Sequence, residues 1–185
     1  MNLFIPSDFS TIVRNRYLFI DNDFLNLLFK SEEFLEGFFK VYQAAFLHYD
    51  SLTGLEFLRD IFVQKERVVR EQFLSLGIFL PATQHQSIFR QVSDNALILS
   101  KIYARNKHKP QTLDLLLAGK VMIYDPDRYL LITGNKKHFP ECVWDLQTSI
   151  SFYEPERYLN FSILKFNKEK FENEFNMLKS IDFMA

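Results

Sequence analysis

The sequence predicts an α/β protein of three layers, in which a central, mostly parallel sheet lies between helices. Short apolar runs with strand character alternate with segments whose apolar residues recur at helical spacing, and strands separated by helices favour parallel pairing. The chain has 185 residues, of which 48% are apolar and 24% charged, as in a globular protein with one core. No repeat or linker is evident, so we interpret 1–185 as one domain with a core at about 17–165.

The sequence pattern of the first half of the chain predicts two strands and three helices. Residues 17–20 form an apolar run that reads as a buried strand, and a helix follows for which Asp21, Asn22 and Asp23 are each candidate N-caps. Ser31 opens a second helix, whose apolar face extends through Ala45 and Phe46. A third helix is expected from Thr53 to about Leu76. The second strand covers 78–80 and ends at Pro81.

The second half predicts three helices and two strands, separated by polar turns. In chain order these are a helix over 84–105, a helix from Thr112 to Met122, a strand over 129–133, a strand over 161–166 and a C-terminal helix over about 168–180.

Charge and cysteine content exclude several classes of protein. The formal net charge is −1, so no global field attracts nucleic acid, and any such binding requires a local basic patch. The single cysteine, Cys142, cannot form an intramolecular disulfide or a zinc cluster. We see no secretory signal and no apolar run long enough to span a bilayer, and therefore expect a cytoplasmic protein without membrane contact.

Carboxylates at the strand-to-helix junctions are the candidate functional residues. In open α/β sheets, ligands bind outside the carboxyl ends of the strands. Asp21 and Asp23 follow the first strand, and Glu56 and Asp114 are expected near helix starts. Clustered carboxylates suit Mg²⁺ or Mn²⁺. Each also has a structural interpretation: an aspartate caps a helix, and Thr53 with Glu56 fits a capping box.

The order of these segments resembles the PIN-domain family, which includes the VapC-type toxins of toxin–antitoxin pairs. LFIDNDFLNLL is similar to the strand, aspartate and helix that open the family. SLTGLEFLRD is similar to its glutamate-bearing helix, LDLLLAG to its third acidic segment, and TGNKKHF to its last motif. The resemblance covers about residues 17–165.

The resemblance implies a metal-dependent endoribonuclease. Carried over to this chain, it makes Asp21, Glu56 and Asp114 the ligands of Mg²⁺ or Mn²⁺, with Asn135 as a further catalytic residue. The implied reaction is in-line hydrolysis of an RNA phosphodiester, which yields 5′-phosphate and 3′-hydroxyl products. One departure concerns the fourth acid that the family often has at the position of Asn135 or His138, since neither residue is acidic.

The resemblance also implies partners: RNA, a second copy of the chain in a homodimer, and an antitoxin that covers the site. Two basic clusters lie beside the acidic junctions in the sequence and could contact RNA phosphates. The candidate RNA-binding residues are Thr133, Lys107, Lys109, Lys136 and Lys137.

Two other functions remain open. LFIDNDF and LLITGN imitate the first two motifs of haloacid-dehalogenase-like phosphatases, but no acidic pair follows FSILKF as that family requires. A catalytically degenerate PIN-like interaction module is the non-enzymatic alternative, and the missing fourth acid is its support.

Overall fold

The computed structural model describes residues 2–42, 47–59, 61–82, 86–154 and 156–182, which form a single sheet and the helices that cover it. The strands are β1 Leu3–Phe4, β2 Tyr17–Ile20, β3 Leu47–Tyr49, β4 Phe79–Pro81, β5 Tyr129–Thr133, β6 Trp144–Glu154 and β7 Arg157–Phe166. The helices are α1 Phe9–Val13, α2 Asn22–Lys30, α3 Glu32–Val41, α4 Ser51–Arg59, α5 Gln64–Leu74, α6 Gln86–Arg105, α7 Thr112–Val121 and α8 Lys168–Asp182.

The sheet is mixed, with the order β1-β6-β7-β5-β2-β3-β4. Strands β4, β3, β2 and β5 are parallel neighbours, whereas β7, β6 and β1 continue the sheet beyond β5 with antiparallel pairings. The prediction of an α/β fold is confirmed, but the prediction of a mostly parallel sheet is wrong. The long β6–β7 hairpin accounts for the difference, because a hairpin connects neighbouring strands without a crossover helix.

Helices cover both faces of the sheet. Leu18 and Ile20 of β2 belong to one hydrophobic core, which α2 and α3 close, whereas Phe19 belongs to a second core, which α6 and α7 close. Successive strand residues point to opposite faces, so this alternation shows that β2 is buried on both sides. The strand is accordingly apolar throughout, as YLFI.

Side-chain caps set the starts of α2 and α3. Asp21 is the N-cap of α2, and its side chain accepts a hydrogen bond from the Asn22 backbone N–H. Ser31 is the N-cap of α3, and its hydroxyl accepts from the Phe34 backbone N–H over 3.2 Å. The sequence predicted Ser31 as a cap and offered Asp21 as one of three candidates with Asn22 and Asp23, since such side chains accept bonds from otherwise unpaired N–H groups at helix starts.

The predicted helix from Thr53 to Leu76 is wrong in length. It is two helices, α4 and α5, and residues 61–63 between them are not helical. Val63, the residue before α5, has extended backbone angles, and the β-branched residues Ile61 and Val63 favour this conformation. α3 ends at Val41, and Ala45 and Phe46, which the sequence places on the apolar face of this helix, lie outside the described part of the chain.

Several strands were not predicted. β1 and β3 are two and three residues long, and such short pairings give little periodic signal. β6 was missed, and β7 begins at Arg157, four residues before the predicted strand. The C-terminal helix was predicted to within two residues. None of the helices in the described ranges is long and apolar enough to cross a membrane.

Candidate active site

Asp21 lies at the carboxyl end of β2, where the neighbouring strand β5 also ends. The Thr133 hydroxyl, on the last residue of β5, donates to Asp21 Oδ2 over 2.5 Å, and the Asn22 backbone N–H donates to Oδ1 over 2.6 Å. Parallel pairing of Ile20 with Ile132 brings the two strand ends together. Both oxygens of the buried Asp21 carboxyl group are thereby fixed in direction.

The pKa of Asp21 is raised from 3.8 to about 7, mainly because burial disfavours the charged carboxylate. The bonds from Thr133 and Asn22 oppose this shift, since they stabilise the ionised form. The negative charges of Asp23 and Asp114 add to the rise. Asp21 is therefore close enough to both carboxylates to sense their charge.

Asp114 lies in the first turn of α7, as the sequence predicts. The Gln111 backbone N–H donates to its carboxylate, which is the capping contact expected of an acid at this position. His138 Nδ1 lies 2.6 Å from Asp114 Oδ2. Burial raises the pKa of Asp114, His138 lowers it, and the charge of Asp23 raises it.

Glu56 does not begin a helix, contrary to the sequence prediction. It lies in the second turn of α4, which starts at Ser51, so the capping box with Thr53 does not form. Asp50 performs the capping role instead, because its Oδ1 accepts from the Leu52 backbone N–H over 3.0 Å. Glu56 therefore does not act as a capping residue.

Glu56 shares its electrostatic environment with the other acids. Burial raises the pKa of this half-buried side chain, the charge of Asp114 raises it further, and Asp23 adds to the effect. Arg59, one turn further along α4, opposes the rise. Among the three acids predicted from the sequence, Asp114 acts electrostatically on both Asp21 and Glu56.

Asp23 was a candidate by its junction position, but it is absent from the metal-ligand set that the resemblance implies. It is in the first turn of α2, and its charge raises the pKa of Asp21, Glu56 and Asp114 alike. Asn135 Nδ2 donates to Asp23 Oδ2 over 2.8 Å. The sequence signal for Asp23 is its position two residues after Asp21, directly after β2. We name Asp21, Asp23, Glu56 and Asp114 the acidic cluster.

The acidic cluster has the donors for a hard divalent cation but not a ligating arrangement. Carboxylate oxygens, with the Thr133 hydroxyl and the Asn135 amide beside them, are the ligand types of Mg²⁺ and Mn²⁺. Within the described ranges, however, no group of three or more His, Cys, Asp or Glu side chains is close enough together to hold a metal ion. Thr133, Asn135 and His138 each contact one of the carboxylates.

A buried ion pair lies at the same edge of the sheet. Lys120 Nζ is 3.7 Å from Asp50 Oδ2, and both side chains are almost fully buried. Asp50 follows β3, and Lys120 follows Asp114 along α7. Neither residue is marked in the sequence, because a lone Lys and a lone Asp carry no spacing signal.

The predicted RNA-binding residues differ in their surroundings. Thr133 is fully buried and bonded to Asp21. Lys136 is paired with Glu141 over 2.9 Å, whereas Lys137 is exposed in the same short 3₁₀ turn. Lys107 and Lys109 are exposed beyond the end of α6, and no described contact joins them to the acidic cluster.

Comparison with known proteins does not identify a family. No protein-family model matches the chain. No curated protein matches it. Among solved structures, the chain is similar to TrmN from Thermus thermophilus, with 14% identity over 86% of this chain and a TM-score of 0.34, which is too low to support an inference. The match covers 48% of TrmN, so the chain spans about half of that protein's length.

Proposed function

We propose that this protein is a metal-dependent endoribonuclease that hydrolyses RNA phosphodiester bonds at the acidic cluster. The observation that carries the proposal is the group of acids at this edge of the sheet, in which burial, and after it the charges of Asp23 and Asp114, raise the pKa of Asp21 and of Glu56. Such repulsion is costly unless it serves a function, and perturbed pKa values are concentrated at functional sites. The position at the carboxyl ends of parallel strands supports the same interpretation.

The oxygen donors of the cluster are of the types that Mg²⁺ and Mn²⁺ prefer, although no three of the described carboxylates lie close enough together to ligate an ion in this structure. A divalent cation would offset the like-charge contribution to these pKa rises, which is secondary to burial. Asp21, Glu56 and Asp114 would hold it, together with Asp23. A bound ion of this kind neutralises charge on a phosphodiester and activates a water molecule.

The protein's own groups orient the carboxylates. Thr133 Oγ1 and the Asn22 N–H direct the two oxygens of Asp21, and Asn135 Nδ2 directs Asp23. The Asn135 backbone N–H also donates to Thr133 Oγ1 over 2.9 Å, so the loop after β5 is tied to the site at two points. Hydrolysis consumes one water molecule: oxygen adds to phosphorus, the bond to the 3′ oxygen breaks, and that oxygen gains a proton. Preoriented groups lower the cost of reaching this geometry.

The resemblance to PIN-domain toxins extends the proposal to partners. RNA is the substrate, a second copy of the chain forms a homodimer, and an antitoxin protein covers the acidic cluster.

The test is cleavage of a 5′-labelled single-stranded RNA with Mg²⁺ or Mn²⁺ and with EDTA. We expect cleavage only with the metal, and a loss of at least about 100-fold in Asp21→Asn and Asp114→Asn, since each ligand charge contributes to stabilising the transition state. Asp94→Asn is the matched control, because Asp94 is an exposed acid on α6 that pairs only loosely with Arg90. The proposal would be contradicted if the parent and the control cleave RNA in EDTA, or if Asp21→Asn and Asp114→Asn both keep full activity.

A haloacid-dehalogenase-like phosphatase is a second candidate, favoured by one contact. The bond from Thr133 to Asp21 Oδ2 brings together the two segments that imitate that family's first and second motifs. This candidate predicts hydrolysis of p-nitrophenyl phosphate that depends on Asp21 but survives Glu56→Gln. The nuclease proposal predicts that Glu56→Gln impairs RNA cleavage.

A further inference from the structure

A polar pocket of about 450 Å³ opens beside the acidic cluster, between α2 and β7. Asp23, Asn26, Leu27 and Lys30 line one wall, and their spacing places them on a single face of α2. Asp23 therefore belongs both to the acidic cluster and to this pocket. The volume is in the range of small-molecule binding sites.

Strand β7 forms the opposite wall. Phe161 and Leu159 pack with the core beneath α2, and Arg157 precedes Leu159 by two residues, so strand alternation places it on the same face. Arg157 is exposed and pairs with Glu154 across the hairpin. The pocket thus has an apolar floor and a cation on each wall, Lys30 and Arg157.

Gly134 lies where the pocket meets the acidic cluster. A Cβ atom at this position would be 3.3 Å from the Phe161 ring and 3.4 Å from Asp23 Oδ2. A larger side chain would fill this junction, so the glycine leaves space between the carboxylates and the pocket. About 10 Å of helix axis separates Asp23 from Lys30, since α2 rises about 1.5 Å per residue.

We propose that this pocket binds the single-stranded nucleic-acid chain beside the bond that is cleaved, with Lys30 and Arg157 holding a backbone phosphate. The inference rests on the proposed nuclease function for the identity of the ligand. The pocket is acidic at Asp23 and basic at Lys30 and Arg157. This arrangement suits a nucleic-acid chain whose cleaved phosphodiester lies at the carboxylates and whose neighbouring phosphate lies at the two basic side chains. Lys and Arg are the residues that position phosphates, and Arg does so with paired donors.

The experiment measures binding separately from cleavage. Fluorescence anisotropy of a 5′-fluorescein-labelled decauridylate RNA is followed in EDTA, between 50 and 200 mM KCl, for the parent, Lys30→Gln, Arg157→Gln and the double variant. Each single change is expected to weaken binding roughly five- to tenfold at the lower salt and to reduce the slope of log K against log salt by about 0.7, the value for one phosphate contact in a single strand. The double variant should lose both contacts.

Arg90→Gln is the matched control. Arg90 is also an exposed arginine in a local ion pair, but it lies on α6, which covers the opposite face of the sheet. Its affinity and salt slope should equal those of the parent. Thermal unfolding of every variant checks that the fold is retained, and exposed positions such as Lys30 and Arg157 are expected to tolerate glutamine.

The outcomes separate the two proposals. If the Lys30 and Arg157 variants show the expected losses but no RNA is cleaved with any divalent metal, the pocket proposal stands and the nuclease proposal fails. If RNA is cleaved but both variants bind it with unchanged affinity and slope, the pocket proposal is overturned. Absence of RNA binding by the parent also overturns the pocket proposal. So does complete displacement of the RNA by uridine monophosphate with the same affinity as the decamer, since this would indicate a site for a single nucleotide.

Discussion

Asn135 Nδ2 donates a hydrogen bond to Asp23 Oδ2 over 2.8 Å and thereby joins the loop after β5 to the first turn of α2. The resemblance to PIN domains implies a fourth acid at Asn135 or His138, and both positions are neutral or basic in this chain. Asp23 lies beside Asn135 instead. A fourth carboxylate therefore reaches the site from α2, and Asn135 orients it.

The first prediction concerns this contact. Asn135→Asp places a second carboxylate against Asp23, so we expect lower stability in EDTA at pH 8, by about 1–2 kcal/mol, and tighter Mn²⁺ binding because the added charge attracts the cation. Urea unfolding and Mn²⁺ titration calorimetry measure the two effects. The Asp23→Asn/Asn135→Asp double variant restores one amide and one carboxylate, and should return stability toward the parent value. Unchanged stability and Mn²⁺ affinity in Asn135→Asp would mean that the loop does not reach the cluster.

The second prediction is a pH-dependent stability that originates at Asp21. Its pKa rises from 3.8 to about 7 on folding, so the folded state binds the proton more tightly than the unfolded state. Stability due to this group is complete below pH 4 and is lost as the pH rises to about 7, by up to about 4 kcal/mol. In EDTA, Asp21→Asn should become more stable relative to the parent between pH 4 and pH 8. Urea unfolding at both pH values tests this, and a difference that does not change with pH would contradict it.

The third prediction is that divalent cations stabilise the fold through the acidic cluster. Mn²⁺ at 100 times its dissociation constant should stabilise the folded parent by about 2.7 kcal/mol, since it binds only the assembled site. Asp114→Asn should abolish most of this gain, whereas Asp94→Asn should retain it. Differential scanning calorimetry at pH 7.5 with and without Mn²⁺ provides the measurement. An equal gain in both variants would place the cation elsewhere.

The fourth prediction concerns Thr133, which donates to Asp21 and accepts from the Asn135 N–H. Thr133→Val keeps the shape but removes the hydroxyl partner of the buried Asp21 Oδ2 and of the partly buried Asn135 N–H, at a cost of about 1–3 kcal/mol. It should also raise the pKa of Asp21 further, because the bond from Thr133 lowers it. Thr133→Ser keeps the hydroxyl and should restore both properties. ¹³C NMR of the Asp21 carboxyl group would follow the pKa, and equal values in the Val and Ser variants would exclude the proposed role.

The fifth prediction addresses the packing of α7 on α6. A Cβ atom on Gly119 would lie 2.6 Å from the Val92 carbonyl oxygen, so Gly119→Ala should destabilise the fold by about 1–3 kcal/mol. Gly77→Ala is the matched control, because nothing lies within 4 Å of its added Cβ. Chemical denaturation of both variants compares them directly. Similar stabilities would show that the two helices can separate without cost.

Local signals in the sequence were sufficient for much of the architecture. The YLFI and YLLIT runs predicted β2 and β5, and Asp21 and Ser31 predicted the starts of α2 and α3. These features depend on neighbours in the chain: apolar runs, capping side chains and helical periodicity. Asp21, Glu56 and Asp114 were also selected from the sequence, by junction position and by resemblance, and the charge of Asp114 raises the pKa of the other two.

Tertiary structure decided the rest. The antiparallel direction of β7 depends on the β6–β7 hairpin, because pairing direction is set by the partner strand and the connection between them, and neither is visible in the composition of one strand. Glu56 occupies a mid-helix position because Asp50, and not Thr53, caps α4. The sequence offered Asp23 as a junction acid, but its hydrogen bond with Asn135, which is 112 positions away in the chain, is a tertiary contact. Contacts of this kind arise from the packing of α2 against the end of β5, and a local pattern carries no information about them.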